Sequence, residues 1–321
     1  MLSRRPTAIR CRRRLLILGV LVSSLANAQA VYKWQDDDGR WHYADRPPPG
    51  QTPFEALAMP YMPRSRVSER RAGTERRPRH FFHNHLHGPA ELELRLTEAK
   101  NVTTQPELPA RFVLPADAER GLLTVSATDA KAAFSYRVSY LTVPGRPMDR
   151  LPEQLTFYPP FARDSSFPIS QGLDDTHTHN DAANRYAIDF GMPIGTPVLA
   201  ARGGVVMDAM QRFPDLGRVD PALASKANFV RILHDDGSMA VYAHLQRNSL
   251  RVRPGMRIPE GYWLANSGNS GYSSGPHLHF VVQINIGMAL ESLPLRFYLP
   301  DGGSMDPDRP QRLRGVLAAR Q

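Results

Sequence analysis

Gly275-Pro276-His277-Leu278-His279-Phe280 sets two histidines two residues apart at the start of an aliphatic run, Phe280-Val281-Val282. On a strand, residues two apart point to the same face, so His277 and His279 share one side while Leu278 and Phe280 share the other. The apolar pair needs a core beneath it, and the imidazoles then look together into one space. This part of the chain is therefore committed to a sheet with one buried face and one chemically active face. Two other apolar runs each enclose a single ionisable side chain: Asp189 in Tyr186-Ala187-Ile188-Asp189-Phe190, and His244 in Val241-Tyr242-Ala243-His244-Leu245. A carboxylate flanked by Ile188 and Phe190 needs a partner to justify its burial.

The N-terminus is set aside from the fold. Arg4, Arg5, Arg10, Arg12, Arg13 and Arg14 precede an apolar stretch, Leu15 to Val22, that is too short to span a bilayer. Ala26-Asn27-Ala28 and Ala28-Gln29-Ala30 both fit small-x-small cleavage, so residues 1–30 read as a secretory signal peptide. The expected location is the periplasm or another part of the cell envelope. The one cysteine, Cys11, lies inside this leader, which leaves the mature chain without disulfides or a thiolate metal site. Any metal must be held by His and carboxylate.

The formal net charge of +9 is unevenly placed. Six charges belong to the leader arginines, and Arg64 to Arg79 holds seven arginines against Glu69 and Glu75, so the rest of the chain sums to −2. The globular parts are not basic, and a nucleic-acid partner is not expected. Val31 to Pro49 reads as an aromatic hairpin, with Tyr32 and Trp34 before an Asp-Asp-Gly turn and Trp41 and Tyr43 after it. This resembles a short aromatic module of unknown function found near the N-termini of exported bacterial proteins. Residues 51–89, rich in Pro and Arg and without apolar periodicity, read as a flexible linker able to tether the chain to an anionic wall polymer or membrane surface. Residues 90–150 show alternating runs separated by Pro115-Ala116-Asp117 and Pro144-Gly145, the pattern of a small antiparallel sandwich. His83, His85 and His87 read as a polar loop before it.

From 154 to 300 the chain is dense in strands and Gly/Pro turns, with Pro197–Ala201, Gly204–Met207, Phe229–His234, Met239–His244 and His279–Ile284 the clearest strands. Arg202-Gly203-Gly204 and Asp235-Asp236-Gly237 read as hairpin turns, His234 beside the second as an exposed residue, and residues 301–321 as a tail. The expected class is all-β, an antiparallel sheet core preceded by a sandwich and a hairpin module. A catalytic zinc takes three protein ligands and keeps one open position, and hydrolysis adds a proton acceptor and a group that steadies the oxyanion. His and Asp are present for this. A serine nucleophile is not, because Gly268-Asn269-Ser270-Gly271 has no strand-to-helix context.

Three ordered segments, Tyr186 to Val198, Tyr242-Ala243-His244-Leu245, and Gly268-Asn269-Ser270-Gly271 followed by Gly275 to Phe280, resemble the lysostaphin/LytM-type zinc endopeptidase family. The resemblance spans about 130 residues. It implies an antiparallel β-sheet core with a groove, one zinc ion, and cleavage of peptide bonds in peptidoglycan stem peptides or cross-bridges. It also implies that Asp189 and His279 are metal ligands, and that His244 and His277 are unligated histidines that polarise water and steady the oxyanion. The chain departs from the short-spaced pattern: the position four residues before the Asp is Arg185, which cannot ligate. Thr176-His177-Thr178-His179 offers two replacements, and the longer family spacing, ten residues before the Asp, favours His179 over His177. The alternative within the same fold is a non-catalytic member that binds wall peptide or activates an amidase.

Overall fold

The structure, a computed structural model, describes residues 28–36, 41–44, 53–60, 66–153, 155–173, 179, 181–307 and 311–320. The expected leader lies outside the described residues except for Ala28–Ala30. The chain divides into two compact units, Met1–Pro63 and Arg64–Gln321. In the first, strands β1 (Ala28–Gln35), β2 (Trp41–Ala44) and β3 (Phe54–Pro60) form an antiparallel sheet in the order β2-β1-β3. The β1–β2 hairpin is the one expected from its aromatic alternation. β3 falls within the expected linker.

The second unit opens with a two-sheet sandwich. β4 (Val67–Thr74), β5 (Arg77–Asn84), β7 (Val102–Gln105) and β9 (Ala118–Ala127) make one sheet; β6 (Ala90–Lys100), β8 (Ala110–Leu114) and β10 (Ser135–Pro144) make the other. Phe82, Leu92, Leu94, Leu114 and Val125 are buried between them. The linker expectation is corrected here, since Val67–Asn84 are two strands of the sandwich. The alternation of β5 was concealed because two of its four inward positions are polar, His80 and Asn84, alongside Pro78 and Phe82. Both are satisfied internally. His80 bonds Glu69 and Tyr136, while the Asn84 amide donates to Gly88 and Pro115 carbonyls and accepts from Leu86 N. The arginines of this stretch lie on a folded surface rather than a tether; Arg70 pairs with Glu119 and Arg66 with Asp208. His83 likewise belongs to β5 and not to a loop.

The larger part of the unit holds β11 (Thr156–Phe157), β12 (Ser166–Gln171), β13 (Ile188–Phe190), β14 (Pro197–Leu199), β15 (Gly204–Met210), β16 (Phe229–Leu233), β17 (Met239–Ala243), β18 (Arg257–Ile258), β19 (Trp263–Asn266) and β20 (Leu278–Asn285). It ends with β21 (Leu290–Ser292), β22 (Arg296–Tyr298), β23 (Ser304–Met305) and β24 (Arg312–Arg314). The main sheet runs β18-β15-β16-β17-β20-β13-β12-β24, with β21 also on β20, and its pairs are antiparallel. One turn of 3₁₀-helix, Pro221–Leu223, is the helical content of the described residues, and none of these forms a helix long and apolar enough to cross a membrane. The all-β expectation holds. Asp235-Asp236-Gly237 does close the β16–β17 hairpin. Arg202-Gly203-Gly204 does not make one, because β14 pairs with β19 and β15 with β16 and β18.

Alternation divides the side chains of the main sheet. Ile188, Phe190, Val230, Ile232, Tyr242, Phe280 and Val282 bury into one core; each such side chain contributes about 1.5–3 kcal/mol. The Tyr242 hydroxyl accepts the Ala201 N–H at 2.8 Å, so this large ring is buried with its polar end satisfied. On the opposite face lie Asp189, His279, Ala243, Val241, Arg231 and Met239. The sandwich packs on this second face, at its far end from His279, through Met207 and Met239 against the cluster around Leu86 and Leu92. Glu91 reinforces the junction by accepting from the Asn285 amide and Met288 N.

Two further corrections concern the ends of these strands. The segment expected as a tail contributes β24, whose Leu313 is fully buried opposite Phe167. His234 is 3% exposed, with Nδ1 donating to Gly203 O at 2.8 Å and its ring against Phe157. Turn residues Asp235 and Asp236 face solvent more than the strand end does, which is why its place beside a hairpin misled.

Leu313→Ala should lower the unfolding free energy by about 2–5 kcal/mol, measured by urea unfolding, as for other buried leucines; an exposed tail would register almost nothing. Burial pushes His234 down to about 4, against about 6.5 in an unfolded chain. Between those values the unfolded chain binds a proton that the folded one refuses, so this contribution is complete above pH 6.5 and is lost as pH falls toward 4. The stability difference between wild type and His234→Gln should therefore shift by about 2–3 kcal/mol in favour of the variant between pH 7 and pH 4.

Candidate metal centre

The site begins with a cross-strand pair. Antiparallel register sets Asp189 of β13 directly opposite His279 of β20, and His279 opposite Ala243 at the end of β17. His279 Nδ1 lies 2.9 Å from Asp189 Oδ1. His179 reaches the same carboxylate from the preceding loop, with Nε2 3.4 Å from Asp189 Oδ2. His179 is 3% exposed and Asp189 8% exposed. Burial alone would raise the Asp189 carboxyl, but hydrogen bonds from His179 and His279 outweigh it and hold the group ionised.

The ligand-capable atoms of His179, Asp189 and His279 all lie within 4.8 Å of one another. A cation about 2 Å from each could bridge them. Two imidazoles and one carboxylate, without thiolate, form a donor set that suits zinc. Among the described residues the Nδ1 of His179 is buried without a hydrogen-bond partner. His177, the alternative first ligand, lies outside the described residues.

His244 and His277 stand beside this cluster. Their ring centroids are 4.5 Å apart, that of His244 is 5.8 Å from His279, and His277 Nε2 is 3.7 Å from Asp189 Oδ2. His277 Nδ1 donates to Gly275 O at 2.8 Å, and His244 Nδ1 donates to Ser270 O at 2.7 Å. Each carbonyl fixes the tautomer, leaving Nε2 as the acceptor on both rings. Burial, aided by the nearby His277 and His279, pushes His244 down to about 3, so its ring is neutral at neutral pH. All five histidine and aspartate positions singled out in the sequence thus occur in one neighbourhood.

His244 adopts φ of 59°, the left-handed region that residues with a Cβ seldom occupy. Asn228 holds it there, and nothing in the sequence marked Asn228 beyond its place before an apolar strand. This fully buried amide accepts from Phe213 N and donates to the carbonyls of Phe213 and Leu245. Its own N–H donates to Ser270 Oγ, and Ser270 Oγ donates to Leu245 O. The chain leaving His244 and the residue whose carbonyl orients its ring are therefore both tied to Asn228, the first through its side chain and the second through its backbone N–H. The residues next to Asp189 serve the loop: Asn184 donates to the Asp181 carboxylate, Tyr186 N to Ser292 Oγ, and the Arg185 guanidinium lies over the Tyr186 ring. A cavity of about 540 Å³ lined by Arg202, His234, Asp236 and Arg257 lies at the hairpin end of β16 and β17, opposite to this cluster. Replacing Asn228 by Ala should cost about 1–3 kcal/mol for each buried group it strands, read by thermal or urea unfolding.

Sequence comparisons add an independent line. The model for Peptidase family M23 matches residues 183–290, a span that includes Asp189, His244, His277 and His279 and stops short of His179. A domain of unknown function (DUF4124) matches residues 18–71. Peptidoglycan DD-endopeptidase ShyA of Vibrio cholerae is 34% identical over 120 residues, 36% of this chain and 25% of ShyA. Glycyl-glycine endopeptidase ALE-1 of Staphylococcus capitis is 33% identical over 101 residues, 31% of this chain and 25% of its own. The solved structure of lysostaphin from Staphylococcus simulans is 31% identical, covering 31% of this chain and 37% of that one, with a TM-score of 0.25. The chain spans about a quarter of the length of these curated relatives. Its strand-rich C-terminal part, over residues 183–290, is a peptidase family M23 domain, homologous to the lysostaphin-type peptidoglycan endopeptidases.

Proposed function

We propose that this protein is an exported, zinc-dependent endopeptidase that hydrolyses peptide bonds in peptidoglycan. The observation that carries this reading is the meeting of His179, Asp189 and His279, with His244 and His277 beside them. His179, Asp189 and His279 would hold the cation. A zinc ion held by these three residues would supply Lewis acidity and an activated water.

The chain's own residues supply the proton handling. His277 and His244 each anchor Nδ1–H on a backbone carbonyl and keep Nε2 free to accept a proton. An imidazole that has taken the proton becomes an Nε2–H donor, able to steady a developing oxyanion or to protonate the leaving amine. Ser270 and Gly275 orient the two rings through their carbonyls, and Asn228 fixes the turn on which His244 stands. The apolar floor beside them, Ala243, Val241, Val281 and Phe229, keeps competing water away from the bond. The leader expected over residues 1–30 delivers this activity to the wall.

Purified protein should contain about one zinc per chain and release soluble fragments from isolated sacculi, and a chelator should stop the release. His279→Ala is expected to lose both metal and activity. His277→Ala should retain metal by elemental analysis while turnover falls by about 10²–10⁴-fold. Wild-type turnover in His277→Ala would remove its proton-transfer role, and metal retained without release in the wild type would identify a wall-binding member of the fold instead.

A further inference from the structure

A second His-x-His pair, His83-Asn84-His85, lies at the end of β5, in the sandwich and outside the span matched to family M23. Alternation turns Asn84 into the sandwich and leaves both imidazoles on the solvent-facing side. Their ring centroids are 4.4 Å apart. Asp117, in the turn between β8 and β9, brings a carboxylate to the same place, with Oδ1 3.2 Å from His83 Nε2. His85 Nε2 lies 2.7 Å from the Ser68 hydroxyl of β4.

The backbone beneath these three side chains is fixed from several directions. Between the two histidines, the buried Asn84 amide donates to the Gly88 and Pro115 carbonyls and accepts from Leu86 N. His85 N donates to Arg66 O at 2.8 Å, and Asp117 N donates to Leu86 O at 2.9 Å, so strand and turn are joined. The side chains themselves are open to solvent: His83 is 35% and Asp117 61% exposed, and His85 is exposed as well. Glu119, the register partner of His83, is taken by Arg70 at 2.6 Å, whereas the ion pair of Asp117 among the described residues is with His83. Donors that solvent can reach, carried on a backbone that cannot shift, are what a surface metal site requires.

We propose that His83, His85 and Asp117 hold a divalent transition-metal ion, at a site separate from the centre at Asp189. Two imidazoles and one carboxylate, without thiolate, suit Zn²⁺, Cu²⁺ or Ni²⁺ rather than the all-oxygen preferences of Ca²⁺ and Mg²⁺. Binding turns the exposed His85 ring from Ser68 toward His83 and Asp117, and water completes the coordination. The ion then ties the end of β5 to the β8–β9 turn. Exposed and completed by water, this site is weaker than the buried centre and is emptied by dialysis. The inference is independent of the hydrolase reading.

The probe is Cu²⁺, which heads the affinity order for such donors. It is titrated by calorimetry into chelator-treated, full-length His279→Ala, in which the centre at Asp189 has lost a ligand. About one equivalent should bind, with two nitrogen ligands in the electron paramagnetic resonance spectrum and a raised thermal midpoint. His83→Gln and His85→Gln should each weaken this uptake by about tenfold or more, and Asp117→Asn by less. The difference between the parent and the double variant His83→Gln/His85→Gln isolates the site from copper taken up elsewhere. Should His279→Ala not fold, the same comparison in the wild type reads the site as a second, weaker equivalent. No uptake in the parent, an isotherm left unchanged by any one of the three substitutions, or a single nitrogen ligand in the spectrum overturns the proposal.

Discussion

The structure turns on one buried carboxylate. Asp189 sits on the short strand β13 between Ile188 and Phe190, which are fully buried in the core, so its own side chain must emerge on the opposite face. There it loses most of its hydration, and burial by itself would favour the neutral acid. His279, its register partner, and His179, brought in by the preceding loop, reverse that preference. The arrangement works only with β13 and β20 in this register, because a slip by one residue would send every side chain of the strand to the other face. The apolar core and the polar cluster therefore enforce each other across the thickness of one sheet.

The same alternation continues along the sheet. Row by row, the second face passes from the His and Asp cluster to Arg231, Val241 and Val281, then to Met239 and Gln283, where the sandwich packs. The sandwich is joined to the sheet by a shared apolar cluster and by the Glu91 carboxylate.

Polar side chains buried for structural reasons are as important here as the reactive ones. Asn228 and Ser270 both donate to the Leu245 carbonyl in the turn after β17, where the backbone of His244 is strained, and Asn228 ties that turn to Phe213. His80 and Asn84 do comparable work inside the sandwich. Each occupies an inward position that an apolar residue would fill in a simpler sheet.

Much of this was legible in the chain. The pairing of His277 with His279, the enclosure of Asp189 and His244 by apolar neighbours, and a single cysteine, Cys11, far from them in the chain pointed to a strand-borne His and Asp centre. These are statements about local periodicity, which sequence carries directly. The strands of Val67–Asn84, the burial of His234 and the capture of residues 312–314 by the main sheet were not legible, because polar residues in inward positions erase the alternation from which strands are read. Nor could the chain show that Asn228 secures His244. Sequence determined which side chains share a face of a strand; only tertiary structure decided which strands became neighbours, since register and domain packing depend on contacts between residues up to 197 positions apart.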